Sequence, residues 1–364
     1  MKRREFMKGA AVAGAAAAAT TISAPAIAQD KKQWVCVTAF GKAGILGRQL
    51  GALADFIGKA SAGRLTVKVY YAGELVPAFE SFGAVQDGTA QMGLGAPYYW
   101  TGKSKAIQYV ACMPFGLSAQ EQNAWFYYGG GIDAADKIYN ELGTKFLPCG
   151  NTGNQMGGWY REEVNSMADY KGLKFRMPGL GGEVLKSFGT NIQLLPGTEV
   201  LPALASGAID GTEWIGPAAD LAKGLYKVCK YYYYPGWHEP ATVLDLFLNK
   251  NAWDSLDSEL KAIVTRGAQA TNLTILSNFQ AANNASLQKL INEHGVQLRK
   301  YNDTILNAVG ARSGEVCESI ASSDPMAKSL FDEIVKFRRI AITWANYSEG
   351  AFIKARSLPF KYPG

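Results

Sequence analysis

The sequence predicts an α/β chain built as two similar lobes facing one another across a cleft, with long helices towards the C-terminus. Three observations carry that prediction. Between residues 32 and 95, runs of alternating polarity and helical stripes follow one another as β-α-β-α-β, the pattern of a parallel sheet with crossover helices. Two distant segments, GELVPAFESFGAVQDGTAQMG (Gly73 to Gly93) and GTEVLPALASGAIDGTEW (Gly197 to Trp214), share one order: turn, Glu, short helix, Gly or Asp-Gly, strand. From Ser258 onward the apolar spacing is mostly helical.

Taken in order, Lys32 to Phe40 alternates around Trp34, Cys36 and Val37 and reads as a strand. Ile45, Leu46, Leu50, Leu53, Phe56 and Ile57 mark an amphipathic helix ending near Gly63. Leu65 to Tyr70 is a second strand, Ala78 to Gln86 a helix closed by Asp87-Gly88, and Ala90 to Gly95 a short strand. The Gly- and Asn-rich run Phe146 to Trp159 reads as a first crossing between lobes. In the second lobe, Leu173 to Met177 is a strand ending near Arg176. Gly179, Gly181 and Gly182 read as a turn before a helix over Glu183 to Phe188. Ile192 to Leu195 is a strand, Glu199 to Ser206 a helix, and Ala208 to Trp214 a strand. Tyr231 to His238, then Glu239 and Pro240, reads as a second crossing, with Val243 to Asn249 returning as a strand. Ser258 to about Glu293 is a proline-free helix whose one weak point is Gly267. Gln297 to Tyr301 is a strand, Asn302 or Asp303 caps a helix to Ile320, and Asp324-Pro325 opens a last helix with one apolar face, Leu330 to Trp344. The expected organisation is thus residues 29–150 for the first lobe with a return segment of about 239–275, residues 151–238 for the second with helices of about 276–323, and residues 324–364 as a C-terminal helix.

Composition narrows the function. The 364 residues are 48% hydrophobic and 19% charged, enough for two lobes with real cores. Residues 1–28 read as an export signal: a basic start with paired Arg3 and Arg4 followed by Phe6, Met7 and Lys8, an Ala-rich stretch, and Ala26-Ile27-Ala28 as a cleavage site, resembling a Tat signal. Without them 33 bases face 30 acids, a net +3, too mild to imply nucleic acid or a membrane surface. The five cysteines match no zinc spacing and read as buried apolar residues. Two histidines, His238 and His294, leave no room for His-rich metal chemistry. The sequence GLGGEV lacks the third glycine of a dinucleotide fingerprint, and neither a P-loop nor a G-x-S-x-G elbow is present.

In open α/β sheets ligands sit beyond the carboxyl ends of strands. The candidates there are Tyr98 and Tyr99, Asn154 and Gln155, Arg176, and Glu213 with Trp214. Arg176 offers a planar fork that matches a carboxylate, beside a helix start that also favours anions; the alternative is a surface arginine or one that staples the lobes. Gln155, Glu213 and Glu239 supply the hard oxygens that sodium, calcium or magnesium require; the alternative is solvated polar residues. Tyr98, Tyr99, Trp100 and Trp214 can wall a pocket or pack a core.

These residues resemble the solute-binding proteins of TRAP (tripartite ATP-independent periplasmic) transporters. The resemblance rests on ADYKGLKFRMPG (Ala168 to Gly179), on LLPGTEVLPALASGAIDGTEW (Leu194 to Trp214) and on Gly73 to Gly93, and it spans essentially the whole chain after the signal. GNTGNQMGGWY, GTEWIGP and YYYYPGWHEP are similar to the branch that binds 2-oxo and 2-hydroxy monocarboxylates. The resemblance implies a two-lobed periplasmic binding protein fold. It places the carboxylate-binding arginine at Arg176, further substrate contacts at Asn154 and one of Tyr98 or Tyr99, and cation ligands at Gln155, Glu213, Trp214 (through its carbonyl) and Glu239, with Trp214 also at the substrate. The cation is sodium or calcium. The resemblance also implies a C-terminal helix exchanged in a homodimer. The expected function is capture of a small 2-oxo acid, pyruvate or a short homologue, for delivery to membrane permease subunits, with no catalysis. The rivals are a Tat-exported cofactor-dependent enzyme and a sensor partner that binds the same acid.

Overall fold

The computed structural model describes residues 31–361; the expected export signal at 1–28 lies outside the described residues. Eleven strands are present there: β1 (Lys32–Thr38), β2 (Leu65–Tyr70), β3 (Met92–Gly95), β4 (Thr144–Asn151), β5 (Gly158–Tyr160), β6 (Lys174–Arg176), β7 (Asn191–Gln193), β8 (Gly211–Thr212), β9 (Tyr231–Tyr234), β10 (Val243–Asn249) and β11 (Gln297–Lys300). They form two sheets, in the orders β2-β1-β3-β10-β4 and β11-β9-β5-β8-β6-β7. In the first, β1 runs parallel to β2 and β3, as the βαβαβ pattern requires, and β10 enters antiparallel between β3 and β4. In the second, β6 is parallel to β7 and β8, whereas β5 is antiparallel to β8 and β9.

The two similar segments do occupy equivalent places. In the first, a 3-10 turn (Ala78–Glu80) and the helix Ser81–Gln86 lead into β3, which pairs parallel to β1. In the second, the helix Gly197–Ser206 leads into β8, which pairs parallel to β6. The residues that follow, Pro97–Trp100 and Glu213-Trp214, therefore leave the carboxyl ends of corresponding strands. The helix Ile45–Ala60 buries Leu46, Leu50, Leu53 and Ile57 as its stripe demands, although Phe56, counted in that stripe, is 44% exposed.

One local expectation is corrected. Gly179, Gly181 and Gly182 do not form a turn; the helix runs Gly179–Lys186, starting four residues before Glu183. A Cβ on Gly181 would lie 2.7 Å from the Cβ of His238, and one on Gly182 would lie 2.6 Å from the Met177 carbonyl. The low helix propensity of glycine is overridden because only its missing side chain lets this helix lie against the second crossing.

The chain passes between sheets at residues 152–157, from β4 to β5, and at residues 235–242, from β9 to β10. Two helices span the same boundary. Ser258–Asn292 buries Leu260, Val264, Ala268, Ile275 and Phe279 in a core with β1, β3 and β10, and Leu290 in a core with Trp159 and Tyr232. Asp303–Ser322 buries Ile305 and Val309 on the second-sheet side, and Cys317 and Ala321 on the first. Asp257, Asn302 and Asp324 each accept the backbone N–H three residues ahead, the N-caps that start the three long C-terminal helices. Among the described residues no helix is long and apolar enough to cross a membrane.

Candidate functional site

Arg176 ends β6 and pairs across with Thr212 of β8, so Glu213 emerges beside it and donates its backbone N–H to the Arg176 carbonyl at 3.2 Å. The two crossings are laced together opposite them. Gln155 donates its N–H to the Glu239 carbonyl at 3.1 Å, Gly236 donates to the Gln155 carbonyl at 3.0 Å, and Thr152 donates to the Thr242 carbonyl at 3.0 Å. A Cβ on Gly236 would sit 2.3 Å from the Gln155 carbonyl oxygen, so this approach requires glycine. Strand ends and crossings thereby bring Gln155, Arg176, Glu213, His238 and Glu239 into the interior, each 0–2% exposed.

Their bonds are half made. Arg176 donates from Nε to the Leu195 carbonyl at 3.2 Å, and from Nη1 to the Glu213 carbonyl at 3.3 Å and to Glu213 Oε1; its Nη2 has no partner. Glu239 Oε2 accepts from Gln155 Nε2 at 2.7 Å, from Tyr98 at 3.3 Å and from Thr242. Glu239 Oε1, Glu213 Oε2 and Gln155 Oε1 accept nothing, and neither ring nitrogen of His238 is bonded. His238 Nε2 lies 3.5 Å from Glu213 Oε2, and ligating atoms of Glu213, His238 and Glu239 all fall within 4.8 Å of one another. Buried polar atoms are rarely left unpaired, so a cluster of them on converging side chains marks a place built for something else.

Electrostatics agree. Burial pushes the carboxyls of Glu213 and Glu239 up to about 7; the Arg176 guanidinium opposes this at Glu213, whereas Glu213 itself adds to it at Glu239. Burial drives His238 down to about 4, keeping its imidazole neutral. One arginine thus faces two carboxylates whose ionised forms are short of positive charge. The three unpartnered oxygens are an amide and two carboxylates, the donor chemistry of a hard cation such as sodium or calcium, so these residues fit such an ion.

The remaining predicted residues fall around this cluster. Tyr98 is buried on Glu239, whereas Tyr99 is half-buried next to the Arg176 guanidinium, which lowers its phenol against burial that holds it up at about 12. The indole of Trp214 lies with its ring centre 5.1 Å from the Arg176 guanidinium carbon and 3.9 Å from Lys223 Nζ. Asn154 is not brought into the cluster: its side chain is exposed, with Nδ2 3.5 Å from the Pro240 carbonyl. His238 and Thr242 join the site without having been singled out by sequence. His238 carried no local signal beyond its position beside Glu239 in the second crossing.

The chain matches the DctP model, bacterial extracellular solute-binding protein family 7, over residues 41–324, and it belongs to that family. It is 40% identical over 356 residues to a monocarboxylate 2-oxoacid-binding periplasmic protein of Nostoc sp., covering 96% of this chain and 97% of that one. Among solved structures, a TRAP periplasmic solute-binding protein of Pseudoalteromonas atlantica with bound sodium and pyruvate is 34% identical with a TM-score of 0.87, covering 91% of this chain and 100% of that one. One from Colwellia psychrerythraea with bound calcium and pyruvate is 36% identical with a TM-score of 0.86, covering 89% and 99%. The fold is that of TRAP solute-binding proteins, and the family is one of periplasmic transport receptors, which sets aside the exported enzyme.

Proposed function

We propose that this protein captures a small 2-oxo acid, pyruvate or a short homologue, together with a sodium or calcium ion, and hands it to the membrane subunits of a TRAP transporter. The observation that carries the reading is one buried, unpartnered guanidinium nitrogen, Arg176 Nη2, in the same buried cluster as three unpartnered oxygens on Gln155, Glu213 and Glu239. A 2-oxo acid uses both halves at once. One carboxylate oxygen takes the free N–H of Arg176, while the other and the 2-oxygen chelate a cation held by the three side chains. When bound, the cation supplies the positive charge that two buried carboxylates lack and a chelation point for the acid. Sodium or calcium accompanies pyruvate in the two solved relatives, which supports the pairing.

Tyr98 is engaged in orienting Glu239, which leaves Tyr99 to donate to the acid beside Arg176, and Trp214 walls the pocket and serves the cation through its carbonyl. Asn154, exposed at the first crossing, reaches the acid when the two sides move together. Residues 29–150 and 151–238, with their later segments, act as lobes that close about the crossings. Residues 1–28 direct export by the Tat route. Residues 324–364 pair two copies, a reading supported by Ile340, Trp344, Tyr347, Phe352 and Ile353, all exposed on this one chain.

Thermal unfolding of the exported form tests the core of this reading. Pyruvate is expected to raise the melting temperature when sodium or calcium is present and to lose that effect after chelation and desalting, because stabilisation follows mass action at the binding site. A melting temperature indifferent to pyruvate, or a pyruvate effect indifferent to cations, refutes it.

A further inference from the structure

Glu213, His238 and Glu239 converge in the interior, and each keeps at least one buried polar atom that bonds to nothing. Glu213 engages Oε1 with Arg176 and keeps Oε2. Glu239 engages Oε2 with Gln155, Tyr98 and Thr242 and keeps Oε1. His238 keeps both ring nitrogens. The imidazole is held by packing alone: it is fully buried, the Trp237 ring stands edge-on to it at 5.7 Å, and a Cβ on Gly181 would lie 2.7 Å from its own Cβ. A buried imidazole with two unpaired nitrogens carries a desolvation cost that nothing in the protein offsets, and the reading given above for the acid does not use it.

That reading employs oxygens only, as hard cations require. Adding His238 to the same two carboxylates changes the chemistry of the donor set. An imidazole nitrogen is a poor donor for sodium or calcium and a good one for divalent transition ions such as zinc and cobalt. Two carboxylates balance the charge of one such ion, and three protein ligands leave a fourth position open. The spacing agrees. Two donors on a tetrahedral zinc at ~2.1 Å are about 3.4 Å apart, and His238 Nε2 stands 3.5 Å from Glu213 Oε2. Ligand atoms of all three residues lie within 4.8 Å of one another, so closing them onto one ion asks for side-chain movement on the order of 1 Å.

We infer that Glu213, His238 and Glu239 form a second, nitrogen-containing donor set that takes zinc or a similar divalent transition ion when the acid and its sodium or calcium are absent. The inference goes beyond the carboxylate-and-cation reading and shares Glu213 and Glu239 with it, so the two classes of ion exclude one another. Gln155 belongs to the oxygen set and His238 to the nitrogen set, which gives each class of ion a residue of its own.

Calorimetric titration of the untagged, chelator-treated protein with zinc chloride and, separately, with calcium chloride at one fixed pH tests this. Zinc is expected to bind one-to-one and to lower the apparent calcium affinity by competition. His238→Gln is expected to lower the ratio of zinc to calcium affinity by roughly tenfold or more, and Gln155→Ala to move that ratio the other way. His294→Gln, at the histidine stacked on Tyr226, is expected to change neither affinity. Cobalt chloride gives a second readout on the wild type: visible d–d bands that are lost in His238→Gln, with no near-ultraviolet charge-transfer band of a thiolate. Absence of zinc binding in protein that binds calcium and pyruvate overturns the inference alone. So does a ratio unmoved by His238→Gln, or a thiolate band, which assigns the ion to a cysteine such as Cys112, whose Sγ lies 4.0 Å from the His238 carbonyl oxygen. Zinc held through His238 without calcium or pyruvate binding overturns the acid reading and leaves this one standing. Failure of zinc, calcium and pyruvate alike overturns both.

Discussion

Each sheet has a buried aspartate that holds the segment leaving one of its strands, and the two do it differently. Asp245 in β10 accepts from the indole of Trp100 at 2.9 Å and the phenol of Tyr139 at 2.7 Å. Asp220, in the helix Pro217–Lys223, accepts from the indole of Trp159 at 2.9 Å and the phenol of Tyr232 at 2.7 Å. The first fixes Tyr98 and Tyr99 through the side chain of the next residue. The second grips main chain: its other oxygen takes the N–H groups of Ile215 at 3.2 Å and Gly216 at 3.1 Å, immediately after Glu213 and Trp214. The tyrosine side of the site is thus held by a ring that can be replaced by another donor. The Glu213 side is held through its main chain, where no substitution of the gripped side chains can compensate. In the proposed reading Glu213 and Trp214 supply ligand oxygens, which need tighter placement than a wall or an orienting phenol, and the stricter grip is on that segment.

The largest expected effect removes what both segments face. Arg176→Ala is expected to weaken pyruvate binding by roughly 2–5 kcal/mol, because the acid loses a desolvated charge partner. It also lowers stability, because Glu213 keeps its burial and loses its counter-charge. Calorimetry showing unchanged pyruvate affinity would remove Arg176 from the site.

Next comes the comparison itself. Asp220→Ala deletes an acceptor of four hydrogen bonds and is expected to cost about 3 kcal/mol of stability or more, with calcium affinity falling roughly tenfold as the Glu213 segment loosens. Asp245→Asn keeps the acceptor oxygen for Trp100 and Tyr139 and is expected to leave calcium affinity within about twofold. Equal losses of calcium affinity in the two variants, measured by titration, would mean that the main-chain grip does not matter.

The smallest effect is on pH. Burial raises both aspartates to about 6 from 3.8, against the hydrogen bonds they accept. A carboxyl raised in the folded state favours folding fully below its unfolded value and loses that contribution as pH climbs through the folded one. Between pH 4.5 and 7.5 the wild type should therefore lose ground to Asp245→Asn, which cannot ionise, by at most about 3 kcal/mol. Melting temperatures at the two pH values check the sign; a gap that moves in favour of the wild type contradicts the burial argument.

Much of this arrangement is legible in the sequence, for reasons that differ by residue. β1 and β2 follow from alternation, β10 from its short, mostly apolar run after the second crossing, the long helices from their stripes and caps, and Arg176 and Glu213 from their places at strand ends. Gln155 and Glu239 carry no local signal that separates them from solvated polar residues; the family resemblance names them, and burial of both at the crossings gives the physical reason. The glycines of the helix Gly179–Lys186 are misread because local propensity knows nothing of His238 pressing on Gly181. Gly267 is a similar case: a Cβ there would lie 2.8 Å from Leu53, so the weak point of a long helix is the place where another helix rests on it. His238, Thr242 and Asp220 escape because their importance lies in what surrounds them. The only trace of Asp220 is an acid in the first turn of a helix that opens Gly216-Pro217.

The 35-residue helix Ser258–Asn292 is about 50 Å long and anchored in a core on each side of the boundary. The crossings at 152–157 and 235–242 can swivel about single bonds; an unbroken helix cannot. It is a strut clamped at both ends, so any change in the angle between the sheets must flex it or slide it along one of its seats. In the proposed closure on a ligand this helix would be loaded like a spring, and its strain would favour reopening and release of the cargo.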